Sequence, residues 1–143
     1  MNPLAWLDRL IALAGRLGFS ESFIRFGVVG VLGFAWDIGT VYALRPFTSL
    51  YIAGTCGFFV AATLNWLFNR LWTFRSAHHA PAHVQWTKFL LTNALGFVFN
   101  RGTFFLLIAF SPLVASHPVI GIAAGAIIGL GFNYTLSKRF VFL

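Results

Sequence analysis

The sequence predicts an all-α membrane protein: four transmembrane helices forming two parallel two-helix repeats, with a short amphipathic helix before them. Three observations carry this. Hydrophobic residues make up 59% of the chain and charged residues 9%. A soluble domain carries about 25% charged residues, so this chain cannot cover a water-facing surface. Four apolar stretches are each long enough to cross roughly 30 Å of hydrocarbon as a helix. The polar residues of the first half recur, in order, in the second.

In the N-terminal stretch, Leu4, Leu7, Leu10, Ile11, Ala14 and Leu17 recur at helical spacing while Asp8, Arg9 and Arg16 fall elsewhere. That is the pattern of a helix lying on a membrane surface, and residues 1–22 form this interfacial segment. A cleaved signal peptide is the rival reading. Arg16 breaks its apolar run, and no small-residue cleavage site follows. The four-helix domain is residues 23–143. Span one runs from Phe26 to Leu44 and contains Asp37; span two runs from Phe47 to Phe68. Span three runs from Phe89 to Phe110 and contains Arg101; span four runs from Pro118 to Leu136. Pro46, Pro112 and Pro118 stand between spans, where helix breakers belong.

Arg9, Arg16, Arg25, Arg70, Arg75, Lys88, Lys138 and Arg139 fall on one side of these spans, and Arg45 alone in a loop on the other. The positive-inside rule then places both termini in the cytoplasm. Trp66, Trp72 and Trp86 mark the same interface, and Tyr42 and Tyr51 the outer one. The net charge of +7 would point to nucleic acid in a soluble protein. Here it holds loops beside anionic lipid, and no nucleic-acid partner is expected.

The repeat is read residue by residue. Arg25-Phe26 and Gly33-Phe34 are echoed by Lys88-Phe89 and Gly96-Phe97, and Asp37 is matched by Asn100. Asn65, Asn69-Arg70 and Thr73-Phe74 are echoed by Asn133, Ser137-Lys138 and Val141-Phe142. Repeat one is about residues 23–75 and repeat two about 86–143. Each holds two spans, so the chain returns to the same side and the repeats are parallel, related by an axis along the membrane normal.

Three stretches carry a family likeness: Ile24-Arg25-Phe26-Gly27-Val28-Val29-Gly30, then Asn69-Arg70-Leu71-Trp72-Thr73-Phe74-Arg75, then Asn133-Tyr134 followed by Lys138-Arg139-Phe140-Val141-Phe142. In order and spacing they resemble the GtrA-like family of small four-span bacterial membrane proteins, over about residues 23–143. The resemblance implies a place in cell-surface polysaccharide synthesis, in the bacterial cytoplasmic membrane. It implies flipping of a polyisoprenyl-phosphate-linked sugar or, as in some members, service as an accessory to a glycosyltransferase. The chain departs from the pattern after Lys88-Phe89, where Leu91, Thr92 and Asn93 replace the Val-Gly of repeat one.

Candidate binding residues follow from chemistry at the cytoplasmic interface. Asn65, Asn69 and Arg70, with Asn133, Lys138 and Arg139, offer amides and cations near the ends of spans two and four. Lys and Arg bind phosphate by charge, Arg also by paired hydrogen bonds. Arg25 and Lys88 open spans one and three at matching positions. Helix-end capping and interfacial anchoring are the plain alternative for all of these. Asp37, Asn100 and Arg101 lie deeper, about 18–20 Å along the helix from those cations, and would line a polar path. Asp37 and Arg101 are expected to pair, or Arg101 to face a cavity and hold a phosphate in transit, since a buried charge needs a partner; the plain alternative is that Arg101 snorkels to the outer interface and Asp37 caps structure there.

Gly121, Gly125 and Gly129 on span four, Gly27, Gly30 and Gly33 on span one, and Ala53, Gly57 and Ala61 on span two make small-residue faces for close helix packing. His78, His79 and His83 share a cytoplasmic loop with Pro81, which argues against a helical metal site. No metal, cofactor or catalytic set is expected: there is one cysteine, Cys56, three acidic residues and no phosphate loop. The expected ligands are a polyprenyl-phosphate-linked sugar and membrane lipid, with a glycosyltransferase as the partner in the accessory reading. Four spans enclose little volume, which is compatible with a homodimer. A small cationic-drug exporter is a weaker rival, with Asp37 as its membrane carboxylate; the basic inner face argues against cationic cargo.

Overall fold

The computed structural model describes residues 5–16, 18–77 and 80–142, and these are all-helical apart from short turns. The chain divides into two compact units, Met1–Ala77 and His78–Leu143, one repeat in each.

In the first unit, α1 (Ala5–Gly15) packs on α2 (Glu21–Leu44). It buries Ile11 and leaves Trp6 and Leu13 exposed. The reversal between them needs a left-handed residue, supplied by Gly18 at φ 92°. Ser20 caps α2 by accepting the Phe23 N–H at 3.2 Å. Beyond the end of α2, Ser49 does the same for α3 (Leu50–Phe68), accepting from the Ile52 N–H at 3.3 Å. α3 passes without a break into a π-helical turn, Asn69–Thr73, closed by the Phe74 N–H donating to the Asn69 carbonyl at 2.8 Å.

The second unit repeats this plan. α4 (Ala82–Phe110) is followed by the short α5 (Pro112–Ser116), then α6 (Pro118–Leu136), with proline in the first turn of α5 and of α6. α6 ends in a second π turn, Ser137–Val141, closed by Phe142 N–H to the Ser137 carbonyl at 3.0 Å. The two π turns fall at matching positions of the repeat. A π turn accommodates one extra residue and is often found at functional sites.

Among the described residues two helices, α2 and the Ala82–Leu107 part of α4, are long and apolar enough to cross a membrane. α3 and α6 have 19 residues each, roughly 28 Å at the α-helical rise. The surface is apolar: Val31, Phe34, Leu91, Val98, Phe105 and Ile127 are all more than half exposed. Patches of that kind need lipid or another protein to cover them. Among the described residues the buried phenylalanines, Phe26, Phe74, Phe89 and Phe142, lie at the π-turn ends. Phe26 meets Phe74 with ring centroids 6.3 Å apart, and Phe89 meets Phe142 at 6.0 Å. These pairs occupy the same places in the two repeats.

Candidate functional site

Each hairpin is held by the same two cross-helix contacts. Near the π-turn end, the α3 residue Asn65 lays its carboxamide directly on Gly33 of α2. In the second unit Asn133 of α6 lies on Gly96 of α4. Further along, the direction of the contact reverses. Asp37 of α2 reaches Gly57 of α3, and Asn100 of α4 lies against Gly125 and Gly129 of α6. A methyl group on Gly125 would stand 2.5 Å from the Asn100 carbonyl oxygen, and one on Gly129 2.9 Å from Asn100 Cβ. Only a hydrogen fits at these positions. Of the polar side chains recognised by their repetition, Asn65, Asn133, Asp37 and Asn100 are therefore each seated on a glycine of the neighbouring helix. Those glycines are what residue-type reasoning alone passed over as partners. The signal was present, because Gly33 and Gly96 repeat in step with Asn65 and Asn133.

The π-turn ends carry the cations. In the first unit Arg25 is mostly buried, with its side chain 15% exposed. Its terminal nitrogen donates to Asp8 Oδ1 at 3.3 Å and stands 3.7 Å from Glu21 Oε2. Its guanidinium lies over the Trp72 ring, 5.5 Å from the centroid. The first π turn brings Asn69 and Thr73 into the interior. Arg25 Nε, Asn69 Oδ1 and Thr73 Oγ1 are buried there without a hydrogen-bond partner, as are Asn65 Oδ1 and Asn133 Oδ1 at the glycine seats. Arg70 is half-buried, its guanidinium 5.8 Å from the Trp66 ring.

In the second unit the polar residues beside the π turn bond to one another, and Asn133 Oδ1 is left without a partner at its glycine seat. Gln85 is fully buried and donates through Nε2 to the Val141 carbonyl at 3.1 Å. Thr92 donates to the Phe89 carbonyl at 2.9 Å and meets the Ser137 hydroxyl at 3.4 Å. Around this core the cations point outward. Lys88, Lys138 and Arg139 are exposed, Lys138 Nζ lying 5.6 Å from the Tyr134 ring and Arg139 5.8 Å from that of Phe140. Asn133 is withdrawn to its glycine seat, so it shares the end of the hairpin with these cations but not their exposure.

The deep polar residues are placed in part. Asp37 and Asn100 are half-buried at their glycine contacts. The pairing expected of Asp37 with Arg101 falls on a side chain outside the described residues, as do His78 and His79 of the connecting loop. His83 is exposed. Among the described residues no group of three or more His, Cys, Asp or Glu side chains is placed to hold a metal. What the arrangement offers chemically is exposed positive charge on the second hairpin, while the amides of Asn65 and Asn133 are turned to the neighbouring helix.

No curated protein matches the chain. A family model does, over residues 25–142, both repeats and both π turns included. That model is described as GtrA/DPMS, transmembrane domain, and the chain belongs to this family, of membrane proteins that handle sugars on glycosyl carrier lipids.

Proposed function

We propose that this protein translocates a polyisoprenyl-phosphate-linked sugar across the bacterial cytoplasmic membrane for cell-surface polysaccharide synthesis. In this reading it crosses four times with both termini cytoplasmic, and it performs no covalent chemistry. The observation that carries the proposal is the set of exposed cations, Lys88, Lys138 and Arg139, at the π-turn end of the second hairpin. Phosphate is the anion that such a site at a membrane surface is suited to hold. Arg70 supports the same end of the first hairpin. Asp37, Asn100 and Arg101 supply polarity at the depth the headgroup must pass. The isoprenoid tail stays in lipid throughout, and exposure of the polar path alternates between the two sides.

A second reading has its own support. Asp37 and Asn100 are seated on Gly57 and on Gly125 and Gly129, so their polarity also serves helix packing. An accessory protein that orients a glycosyltransferase and holds its lipid substrate by the phosphate would need the same cations. Reconstitution separates the two. The purified chain is placed in liposomes with a labelled polyprenyl-phosphate sugar in both leaflets, and access of the inner pool to an external probe is timed. Translocation predicts acceleration over protein-free liposomes, lost in Lys138→Ala. No acceleration across several sugars, with the protein folded, would overturn it in favour of the accessory role.

A further inference from the structure

The repeat gives an internal comparison. Arg25 and Lys88 hold the same position in two hairpins of the same plan, yet their surroundings differ. Arg25 is enclosed by two carboxylates, at 3.3 Å and 3.7 Å, and covered by Trp72 at 5.5 Å. Glu21 reaches it from the preceding turn of α2, and Asp8 from α1. One guanidinium beside two carboxylates leaves a local charge of −1, which repels an approaching phosphate. Among the described residues no carboxylate pairs with Lys88. The residue one turn before it is Val84 where repeat one has Glu21, and residues 78–143 contain no Asp or Glu. All three acidic residues of the chain belong to the first half, while the second half carries Lys88, Arg101, Lys138 and Arg139 and no Asp or Glu of its own. Lys88 is exposed, on a helix whose adjoining face packs on the π turn that carries Lys138 and Arg139.

We infer that the two matched positions have separate roles: Lys88 contacts the phosphate of the carrier lipid, and Arg25 is a latch that fastens α1 to α2. This rests on the proposed function and adds which half receives the headgroup. The latch explains why the first hairpin keeps two carboxylates at an interface that otherwise selects cations. It also fixes α1, so that the exposed Trp6, Arg9 and Leu13 lie together on the face turned away from α2.

The test uses the full chain in detergent micelles with farnesyl phosphate as probe and inorganic phosphate as comparison. Affinity and melting temperature are read for wild type, Lys88→Gln, Arg25→Gln and Asp8→Asn. Lys88→Gln is expected to weaken farnesyl phosphate binding about tenfold, as loss of one charge-assisted contact does, with melting unchanged. Asp8→Asn is expected to lower the melting temperature and leave the affinity as it was; Arg25→Gln should behave like it. Asp8→Asn keeps the test open should Arg25→Gln fail to fold. An Arg25→Gln loss equal to that of Lys88→Gln would overturn the division of roles and leave the proposed function standing. So would a gain of affinity in Asp8→Asn, since that would mean Asp8 masks a phosphate site at Arg25. Wild-type protein that binds neither probe would overturn the proposed function and this inference together. Inorganic phosphate bound as tightly as farnesyl phosphate would overturn the lipid as the source of the anion.

Discussion

Gly125→Ala is the sharpest probe of how the second hairpin is held. The added methyl would meet the Asn100 backbone oxygen at 2.5 Å, where ordinary contact begins at 3.4 Å. A carbonyl in the middle of α4 cannot rotate away, so the two helices must part locally by roughly 0.9 Å, a gap that forfeits a quarter to a half of each dispersion contact across it. Overpacking of this kind costs about 1–3 kcal/mol. Alanine also favours the helix over glycine by about 1 kcal/mol, which would hide part of the loss. Gly131→Ala removes that ambiguity. It lies on the same helix, and a methyl there meets nothing within 4 Å. The propensity gain is common to both variants, so the difference between them isolates the steric term, about 2 kcal/mol or roughly thirtyfold in the folded ratio. Reversible unfolding of the protein in lipid nanodiscs, followed by a probe of helix separation, measures it. Equal stability of Gly125→Ala and Gly131→Ala would refute the close approach of α4 and α6 at Asn100.

Two further predictions concern the glycine seat and the buried amide. Gly33→Ala drives its methyl into the Asn65 side chain, so pairing it with Asn65→Ala should recover part of the lost stability. A coupling of at least about 0.5 kcal/mol in the double-mutant cycle checks this, and strict additivity would count against the contact. Gln85→Leu strands the Val141 carbonyl that Gln85 now satisfies, which should cost about 1–3 kcal/mol. Protection of the second π turn against hydrogen exchange should fall with it, while the first hairpin keeps its own.

The repeat was legible because its polar residues are sparse and cannot be exchanged freely in an apolar helix. Asn65 and Asn133, or Asp37 and Asn100, stand out against leucine and valine. Their order along the chain fixes depth, so the doubled hairpin plan follows. Rotation about the helix axis does not follow from depth. Asn65 near the end of its span can turn to water or to a neighbour, and the glycine opposite decides between them. The π turns were also beyond reach. Asn69–Thr73 and Ser137–Val141 carry no residue that demands a hydrogen bond spanning five residues; packing of Phe74 and Phe142 against Phe26 and Phe89 selects it. The Arg25 surroundings depend on Gly18 reversing the chain so that Asp8 arrives from α1. Spacing along α2 discloses only the Glu21 contact, one turn away.

The π turns bear on ancestry. A π turn amounts to one residue inserted into an α-helix, and here the insertion sits at the same place in both halves, just after the second long helix of each. A single acquisition in one ancestral hairpin, copied when that hairpin was doubled, accounts for both. The seats of asparagine on glycine are shared by both halves as well, whereas the acidic residues differ: Asp8 and Glu21 stand beside Arg25, and residues 78–143 contain no Asp or Glu. The halves thus share a frame and differ in the charge placed on it.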